Sequence, residues 1–547
     1  MTLTIDQIRD ATSDQLLAFV KRRHPDFKDN EEHWSFLEQS YKGGRDWIEK
    51  NIFSYIKEGK KEYQERKKRA YRFPHSREVV SLVNKYVFKG SIERRDRQEM
   101  PKHIREFWGS STLLKRPIDD LMNTLSTWTS TFGRIWVVVD NNLPEDAVSE
   151  ADRKAAKGRC YAYFLKPTMV YDFEYDDDGE LEWLLSGEVV REKGNPLITD
   201  GSPKLRYRVW GKDFTCAIEI NKSGGNETAK LVPDSIRLHN LGIVPVFPAD
   251  HITTDDLYKA AGLLEDVAYL DRAVANYLSN LDVIIQDQTF SQLVIPIQGL
   301  LPSTSPIDPS DPDGEPDDFN QIVRMATNRV FTYNAEGGQA PEFISPDVKQ
   351  ASIIMSAVTK IVGEIYHSIG MAGERTKEDN AAGIDNSSGV AKAYDFEKLN
   401  AMLAAKARSL QNIERNLVRL VNAWNSDVKE LEETEEYVTY PQTFDVRNIA
   451  DEMDNAQRLS VMNAPKELRR FQMKRLAVKM FPQLKDADIK RIIKEIEDDW
   501  LELDESLLKP GSPLPTTGRV PGKPNSQGEN NKGSVKASDK QNQDQNS

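Results

Sequence analysis

The sequence predicts an α+β chain that is mainly helical and carries one β-rich insert. Three observations lead there. Over residues 253–285 apolar residues recur at Leu257, Ala260, Leu264, Val267, Leu270, Val274, Leu278, Leu281 and Ile285. Those steps of three and four draw a single stripe along a helix. Between residues 134 and 232 the period changes to two, in short runs separated by Asp177-Asp178-Gly179, Gly211-Lys212-Asp213 and Gly224-Gly225-Asn226, which is strand and turn chemistry. From Val390 to Trp424 a second long helical pattern follows.

The first long helix organises the rest. Thr253, Thr254, Asp255 and Asp256 supply oxygens and negative charge suited to a helix start. No Gly or Pro interrupts the stripe after Gly262. Roughly thirty residues at 1.5 Å each make a rod of about 45–50 Å, long beside a usual helix, so the rod is expected to span something or to pack against copies of itself. Pro296 and Pro302 then end the apolar run 293–301, a Pro/Asp/Ser-rich loop covers 303–318, and a strand-like piece covers 329–333. After Ser345-Pro346 a return helix carries Ile353, Ile354, Val358, Ile361, Val362, Ile365 and Ile369. A Gly/Asn-rich loop, 373–389, leads into the second long helix.

Ahead of the rod the chain reads as helices over 5–24 (with Ser13 capping its second part), 30–41, 45–72, 76–90 and 113–133. The 45–72 helix ends in a basic run: Lys60, Lys61, Arg66, Lys67, Lys68, Arg69 and Arg72. A solvated face is the plainer account of such a run, and contact with nucleic acid or an acidic neighbouring subunit the sharper one. Gly133 switches the period, and strands are expected at 135–139, 159–165, 169–175, 181–191, 204–210, 214–220 and 228–232. Behind the second long helix, the acidic run 430–436 is expected to be a solvated face. Helices are expected over 447–464, 465–482 and 486–503, the middle one bearing Arg469, Arg470, Lys474, Arg475 and Lys479. From Lys509 on, Pro, Gly, Ser, Asn and Gln dominate and aromatics vanish, a composition too poor in apolar surface to offset its ordering entropy.

Composition narrows the function classes. Hydrophobic residues make up 38% and charged residues 29% of 547, with a net charge of −13. A chain whose main task is gripping duplex DNA is expected to be basic, because Lys and Arg displace counterions from phosphates. An acidic wall would instead let a nucleic acid slide, though acidity is also common in soluble proteins. Cys160 and Cys216 lie in strand-like runs without metal-ligand spacing and are expected to be small buried hydrophobes. The opening residues have neither a basic start nor an apolar core, so no signal peptide is expected. No apolar run is long enough for a membrane span.

No Walker-type phosphate loop, HExxH or GxSxG occurs. The seven histidines, including His367 on the return helix, have no ligand spacing to one another. Two acidic loops superficially resemble calcium loops. One has Pro309 and Asn320 where carboxylates are required, and the other has Leu185 at its last position. They read as an exposed loop and a β-hairpin turn. No catalytic residue, metal or cofactor is expected.

The order of several stretches resembles the portal protein family of tailed bacteriophages, the head-to-tail connectors. The resemblance is carried by LLEDVAYLDRAVANYLSNLD (263–282), QTFSQLVIP (288–296) and SSGVAKAYDFEKLNAMLAAKARSLQNIERNLVRLV (387–421), with YKGGRDWI (41–48), HNLGIVPVFP (239–248) and YPQTFDV (440–446). It covers about residues 40–500 and implies a wing, stem, clip and crown architecture. The wing would take helical residues 1–133 and the β-rich module 134–250. Stem helix 1 would be 251–290, the clip 291–345, stem helix 2 346–371, a tunnel loop 372–388 and a long wing helix 389–425. Wing and crown helices would fill 426–508, with a disordered tail at 509–547.

The resemblance also implies site residues. A DNA-facing tunnel loop would present Glu374, Arg375, Lys377, Glu378, Asn380 and Asn386, on a connection long enough to suggest function. A partner-binding clip would present Asp308, Asp311, Asp313, Glu315, Asp317 and Asp318. Stem packing would rest on Leu264, Val267, Val274, Leu278, Leu281 and Ile285. The implied protein is no enzyme. It would be a ring, usually of twelve subunits, at one capsid vertex of the virion, assembled in host cytoplasm. Double-stranded DNA would pass through it without sequence preference during packaging, retention and ejection. Its implied partners are the terminase large subunit, a neck adaptor, and major capsid and scaffold proteins, with no membrane. The rival classes are a helical adaptor or scaffold protein, separable by stoichiometry, and a metal-dependent nucleic-acid-processing enzyme, which would need an acidic cluster in a cleft.

Overall fold

The chain opens with two threonine–glutamine capping boxes in the computed structural model, which describes residues 3–56, 58–90, 92–94, 100–142, 158–191, 197, 201–223, 226–232, 235–289, 292–296, 330–333, 342–344, 348–370, 389–425, 437–442, 444, 459, 462, 465–480 and 486–498. Thr4 caps α1 (Ile5–Asp10) and Thr12 caps α2 (Ser13–Val20), each with the Gln three residues on returning to the cap backbone. The helix expected over 5–24 is therefore broken at Ala11, and Thr12 rather than Ser13 takes the capping position. Next, α3 (Pro25–Lys42) begins with Pro25 in its first turn, where a missing N–H costs nothing.

The continuous helix expected over 45–72 is two helices, α4 (Arg45–Asn51) and α5 (Lys60–Arg69). Between them the Phe53 N–H goes to Asn276 Oδ1 at 3.0 Å and the Tyr55 N–H to Glu58 Oε2 at 3.1 Å, so side chains take donors that a helix would use. There follow α6 (His75–Val87), the short strand β1 (Glu93–Arg94), α7 (Lys102–Gly109) and α8 (Ile118–Phe132).

Nine strands then run β2 (Arg134–Asn141), β3 (Cys160–Leu165), β4 (Val170–Tyr175), β5 (Leu181–Arg191), β6 (Pro203–Gly211), β7 (Phe214–Ser223), β8 (Asn226–Leu231), β9 (Arg237–Leu238) and β10 (Val246–Asp250). They form two antiparallel sheets: β10-β2-β3, and β4-β5-β6-β7-β8 with β9 paired to β7. The strand β10 is not legible by alternation, because Pro248 sits inside it; an edge strand tolerates the missing donor. The turn after β4 is a hairpin. Asp176 Oδ1 accepts the N–H groups of Asp178 and Glu180 at 3.1 and 2.8 Å, and Gly179 supplies φ 82°.

Beyond the sheets lie α9 (Val267–Thr289), β11 (Gln292–Pro296), β12 (Val330–Tyr333), β13 (Glu342–Ile344), α10 (Val348–Ser368), α11 (Gly389–Ala423), β14 (Val438–Thr439), α12 (Lys466–Met480) and α13 (Asp486–Asp498). In the small sheet β11 is central, parallel to β12 and antiparallel to β13. The chain divides into two units, Met1–Asp445 and Val446–Ser547. The second holds α12 and α13, linked by a Lys474–Glu497 ion pair. The sequence expectations for 303–318, 373–388, 430–436 and 509–547, and most of 447–464, lie outside the described residues.

Burial in the first unit follows the two periods. On one face of the large sheet, Trp183, Leu185, Val209 and Cys216 pack with Ile8, Leu16 and Val20 of α1 and α2. On the other, Leu184 and Trp210 pack with Trp136, Val138 and Val246 of the smaller sheet. Successive residues of β2 point to opposite faces, so Ile135, Val137 and Val139 turn the other way, into the main helical core. That core gathers α3, α6, α7 and α8, the start of α9, the end of α10, and the α11 stripe Leu399, Leu403, Ala407, Leu410, Ile413 and Leu417. Of the two free cysteines Cys216 is fully buried, its thiol pushed up to about 12 by burial, while Cys160 is half-buried.

His239, beside β9, stands edge-on to Trp424 with ring centroids 5.4 Å apart. Burial lowers its pKa to about 4, against the nearby charges of Asp213 and Asp140. The folded form then binds fewer protons than the unfolded chain between pH 4 and 6.5. The stability gained from a neutral His239 is complete above about pH 6.5 and is lost as pH falls toward 4. His239 should add about 2 kcal/mol to the pH dependence of denaturant melts across this window, beside the share of the buried His251, and His239→Phe should remove its part; an unchanged slope in the variant would place the titration elsewhere.

Candidate functional site

The helix pair α9 and α10 leaves the main core and returns to it. At the near end Leu264 and Val267 share that core with Ile365 and Ile369. Further out Val274 and Leu278 meet Val358. Rising numbers on one helix meet falling numbers on the other, so the two are antiparallel. The strands β11 and β13, which follow α9 and precede α10, are antiparallel as well.

Among the stem-packing candidates Leu264, Val267, Val274, Leu278 and Leu281 are buried, whereas Ile285 is 49% exposed. The clip candidates Asp308, Asp311, Asp313, Glu315, Asp317 and Asp318 lie outside the described residues. So do the tunnel-loop candidates Glu374, Arg375, Lys377, Glu378, Asn380 and Asn386. His367 is exposed on α10, 3.8 Å from Glu364.

The helix expected from Thr253 begins only at Val267. Residues 251–266 run as turns because their backbone donors have other partners. Asp256 Oδ1 accepts the N–H groups of Tyr258 and Lys259 at 2.8 and 3.3 Å, His251 N–H donates to Gly133 O at 2.7 Å, and Leu263 N–H to Ser130 O at 2.9 Å. Gly133, at φ 84°, lets this segment cross the end of α8 at close range. A Cβ there would stand 1.8 Å from Ala260 O, and one on Gly262 2.7 Å from Gly133 N.

Polar groups fix the same crossing. Arg134 holds Asp250 through two hydrogen bonds, 2.6 and 2.8 Å, and donates to Asp256 O at 2.7 Å. The fully buried Lys406 of α11 donates to Thr129 Oγ1 and Ser126 O at 2.5 and 3.3 Å. Burial drives its ammonium pKa well below the ordinary lysine value, with Asp250 opposing.

A second stripe on α9 carries the attachment that the apolar pattern misses. Asp271, Ala275, Ser279 and Asp282 are spaced four, four and three apart and face the segment 45–76. Arg72 Nη2 donates to Asp271 Oδ2 at 2.8 Å, with only 6% and 1% of the two side chains exposed. The same oxygen accepts Ser76 Oγ and N at 2.6 and 3.1 Å. Trp47 lies 4.1 Å under the Arg72 guanidinium, a favourable cation–π placement.

Arg66, equally buried, pairs with Glu58 and donates to Ser279 Oγ at 2.9 Å and Phe53 O at 2.7 Å. Arg69 lies 3.4 Å from Asp282, and Asn276 Nδ2 donates to Asn51 O at 2.9 Å. The basic run is therefore not one solvated face. Arg66 and Arg72 turn inward onto α9, whereas Lys67 and Lys68 pair locally with Glu49 and Glu65. The signal in the sequence was the polar spacing on α9; its partners sit 199 and 213 residues away.

Among the described residues no group of three or more His, Cys, Asp or Glu side chains is placed to hold a metal ion. No described helix is long and apolar enough to cross a membrane. No family model matches the sequence, and no curated protein matches it. Solved structures are matched slightly. One is a chain from the neck of an empty gene transfer agent particle, at 11% identity over 72% of this chain and 90% of that one, with TM-score 0.34. Another is from the virion of a native gene transfer agent particle, at 10% identity over 73% and 89%, with TM-score 0.35. Likenesses this slight define no shared fold, so the functional reading rests on the chain's own residues.

Removing one member of the Arg72–Asp271 pair leaves the other charged and buried. Arg72→Met should cost about 3–5 kcal/mol in chemical denaturation. The double variant Arg72→Met/Asp271→Leu should cost clearly less than the sum of its singles. Additive singles would show that the pair is not coupled.

Proposed function

We propose that this chain is the portal protein of a tailed bacteriophage: a ring-forming, non-enzymatic DNA conduit of the virion's head-to-tail region. The observation that carries the reading is the helix–strands–helix unit. α9 leaves the core, β11 to β13 form a small sheet, and α10 returns antiparallel to a core that also receives α11. This sequence of elements is what a stem, a clip and a stem require, and it coincides with the stretches that resemble the family. A rod clamped along one side by Arg66, Arg69 and Arg72 suits a part that must hold its direction under load.

In this reading residues 291–345 meet the packaging motor and later the neck adaptor, and residues 372–388 face the DNA. The chain's net charge of −13 keeps phosphates from adhering to the wall. Subunits join through unlike surfaces, and such an interface makes a ring when its rotation closes. The motor supplies the ATPase, since the chain has no phosphate loop.

Native mass spectrometry with negative-stain imaging tests the reading: rings of about twelve subunits with a central hole are expected. A stable monomer or dimer across salts, with no rings on co-expression with capsid protein, would favour the adaptor class. Deleting 375–386 should leave rings intact and lower the yield of DNA-filled heads. Normal filling would remove the tunnel-loop role.

A further inference from the structure

The loop between α4 and α5 is pinned at Phe53 and Tyr55, yet it turns Phe53, Tyr55 and Ile56 outward. Its backbone is held at Phe53, whose N–H goes to Asn276 Oδ1 at 3.0 Å and whose carbonyl accepts Arg66 Nη2 at 2.7 Å. It is held again at Tyr55, whose N–H goes to Glu58 Oε2 at 3.1 Å. The Arg66 guanidinium, itself fixed by Glu58 and Ser279, lies 4.8 Å from the Tyr55 ring. On this frame Phe53 is 53% exposed, Tyr55 48% and Ile56 fully exposed. Large apolar side chains held in water by a satisfied backbone mark an interaction surface, and fixing them beforehand lowers the entropy cost of binding.

Charge narrows the partner. Arg66, Arg69 and Arg72 are engaged in internal pairs, and over residues 53–61 three Lys stand with one Glu, a net charge of +2, so the rest of this −13 chain carries −15. The cations not used on α9 include Lys60 and Lys61, both exposed next to the loop. The α10-facing residues of α9, Val274 and Leu278, and its α5-facing residues, Ala275 and Ser279, lie on different sides of the helix. The loop patch therefore lies on a different flank of the rod from α10.

From this we infer that the surface of Phe53, Tyr55, Ile56, Lys60 and Lys61 is the docking face for a second copy of this chain, in a head-to-tail contact that joins a basic, aromatic patch to the acidic remainder of the neighbour. Opposite charge steers the encounter and sets its orientation, and unlike surfaces on one chain give an interface that propagates from copy to copy. The inference rests on the ring-forming reading above and names the surface that makes the ring.

The test uses the full-length protein and two variants that touch only exposed side chains, Ile56→Asp and Lys60→Glu/Lys61→Glu. Mass photometry and sedimentation velocity over a concentration series read assembly. Fluorescence anisotropy with a labelled DNA duplex reads nucleic-acid binding, and circular dichroism checks folding. The expected result is assembly of the wild type, weakening as salt rises. Ile56→Asp should raise the apparent dissociation constant about tenfold or more, and the double charge reversal should weaken assembly chiefly at low salt. Variants that assemble like the wild type overturn the inference and leave the ring reading standing. A wild type that forms only an open chain or a small oligomer, dissolved by Ile56→Asp, upholds the surface and overturns the ring. Assembly unchanged in both variants, with duplex binding lost in the charge reversal, would assign the patch to nucleic acid. A wild type that stays monomeric throughout, also on co-expression with capsid protein, overturns both.

Discussion

The Arg72–Asp271 pair is the constraint on which the rest of the first unit depends. A carboxylate in the second turn of a long helix is tolerated in the interior only if its charge is met on the spot. Here one oxygen collects a guanidinium, a hydroxyl and a backbone N–H from a single short segment. That segment joins α5 to α6, so the interaction brings the N-terminal helical layer and the α9–α10 pair into one register. Apolar packing alone would hold α9 against α10 yet let it slide by a turn along α5; the placement of Asp271, Ser279 and Asp282 opposite Arg72, Arg66 and Arg69 permits one alignment.

What was legible in the sequence was what is periodic. The α11 stripe, the return helix with Val358, Ile365 and Ile369, and the strands with their Asp-Gly turns all announce themselves through spacing. So does the switch at Gly133, because the residue that ends α8 also starts β2. The burial of β2 on both faces was less visible, since its continuous apolar run does not say which residues meet helices and which meet a sheet.

What was not legible was long-range and polar. Nothing local distinguishes Arg66 from Lys67, yet one is buried against Ser279 and the other pairs at the surface with Glu49. The first turns before α9 read as helix because their apolar spacing continues, but His251, Leu263 and Asp256 commit the backbone to other partners. Pro248 hid an edge strand. The charged loops on which the family resemblance places contacts with DNA and partners carry no periodicity, and their roles come from the resemblance alone.

The crossing of Gly133 and Gly262 has a mechanical consequence. It sits where α9 is rooted, and two backbones in contact without side chains between them can neither be compressed nor absorb a displacement by changing rotamer. At 1.5 Å per residue, the 23 residues of α9 make an arm of about 35 Å. A tilt of about 5° at that root moves the far end by about 3 Å, roughly the rise of two helical residues. Because Arg72, Arg66 and Arg69 also hold the rod at Asp271, Ser279 and Asp282, rod and core turn together: a small rotation of the core reaches the distal sheet as translation, and a push on the sheet returns as a load shared by the glycine crossing and the arginine clamp.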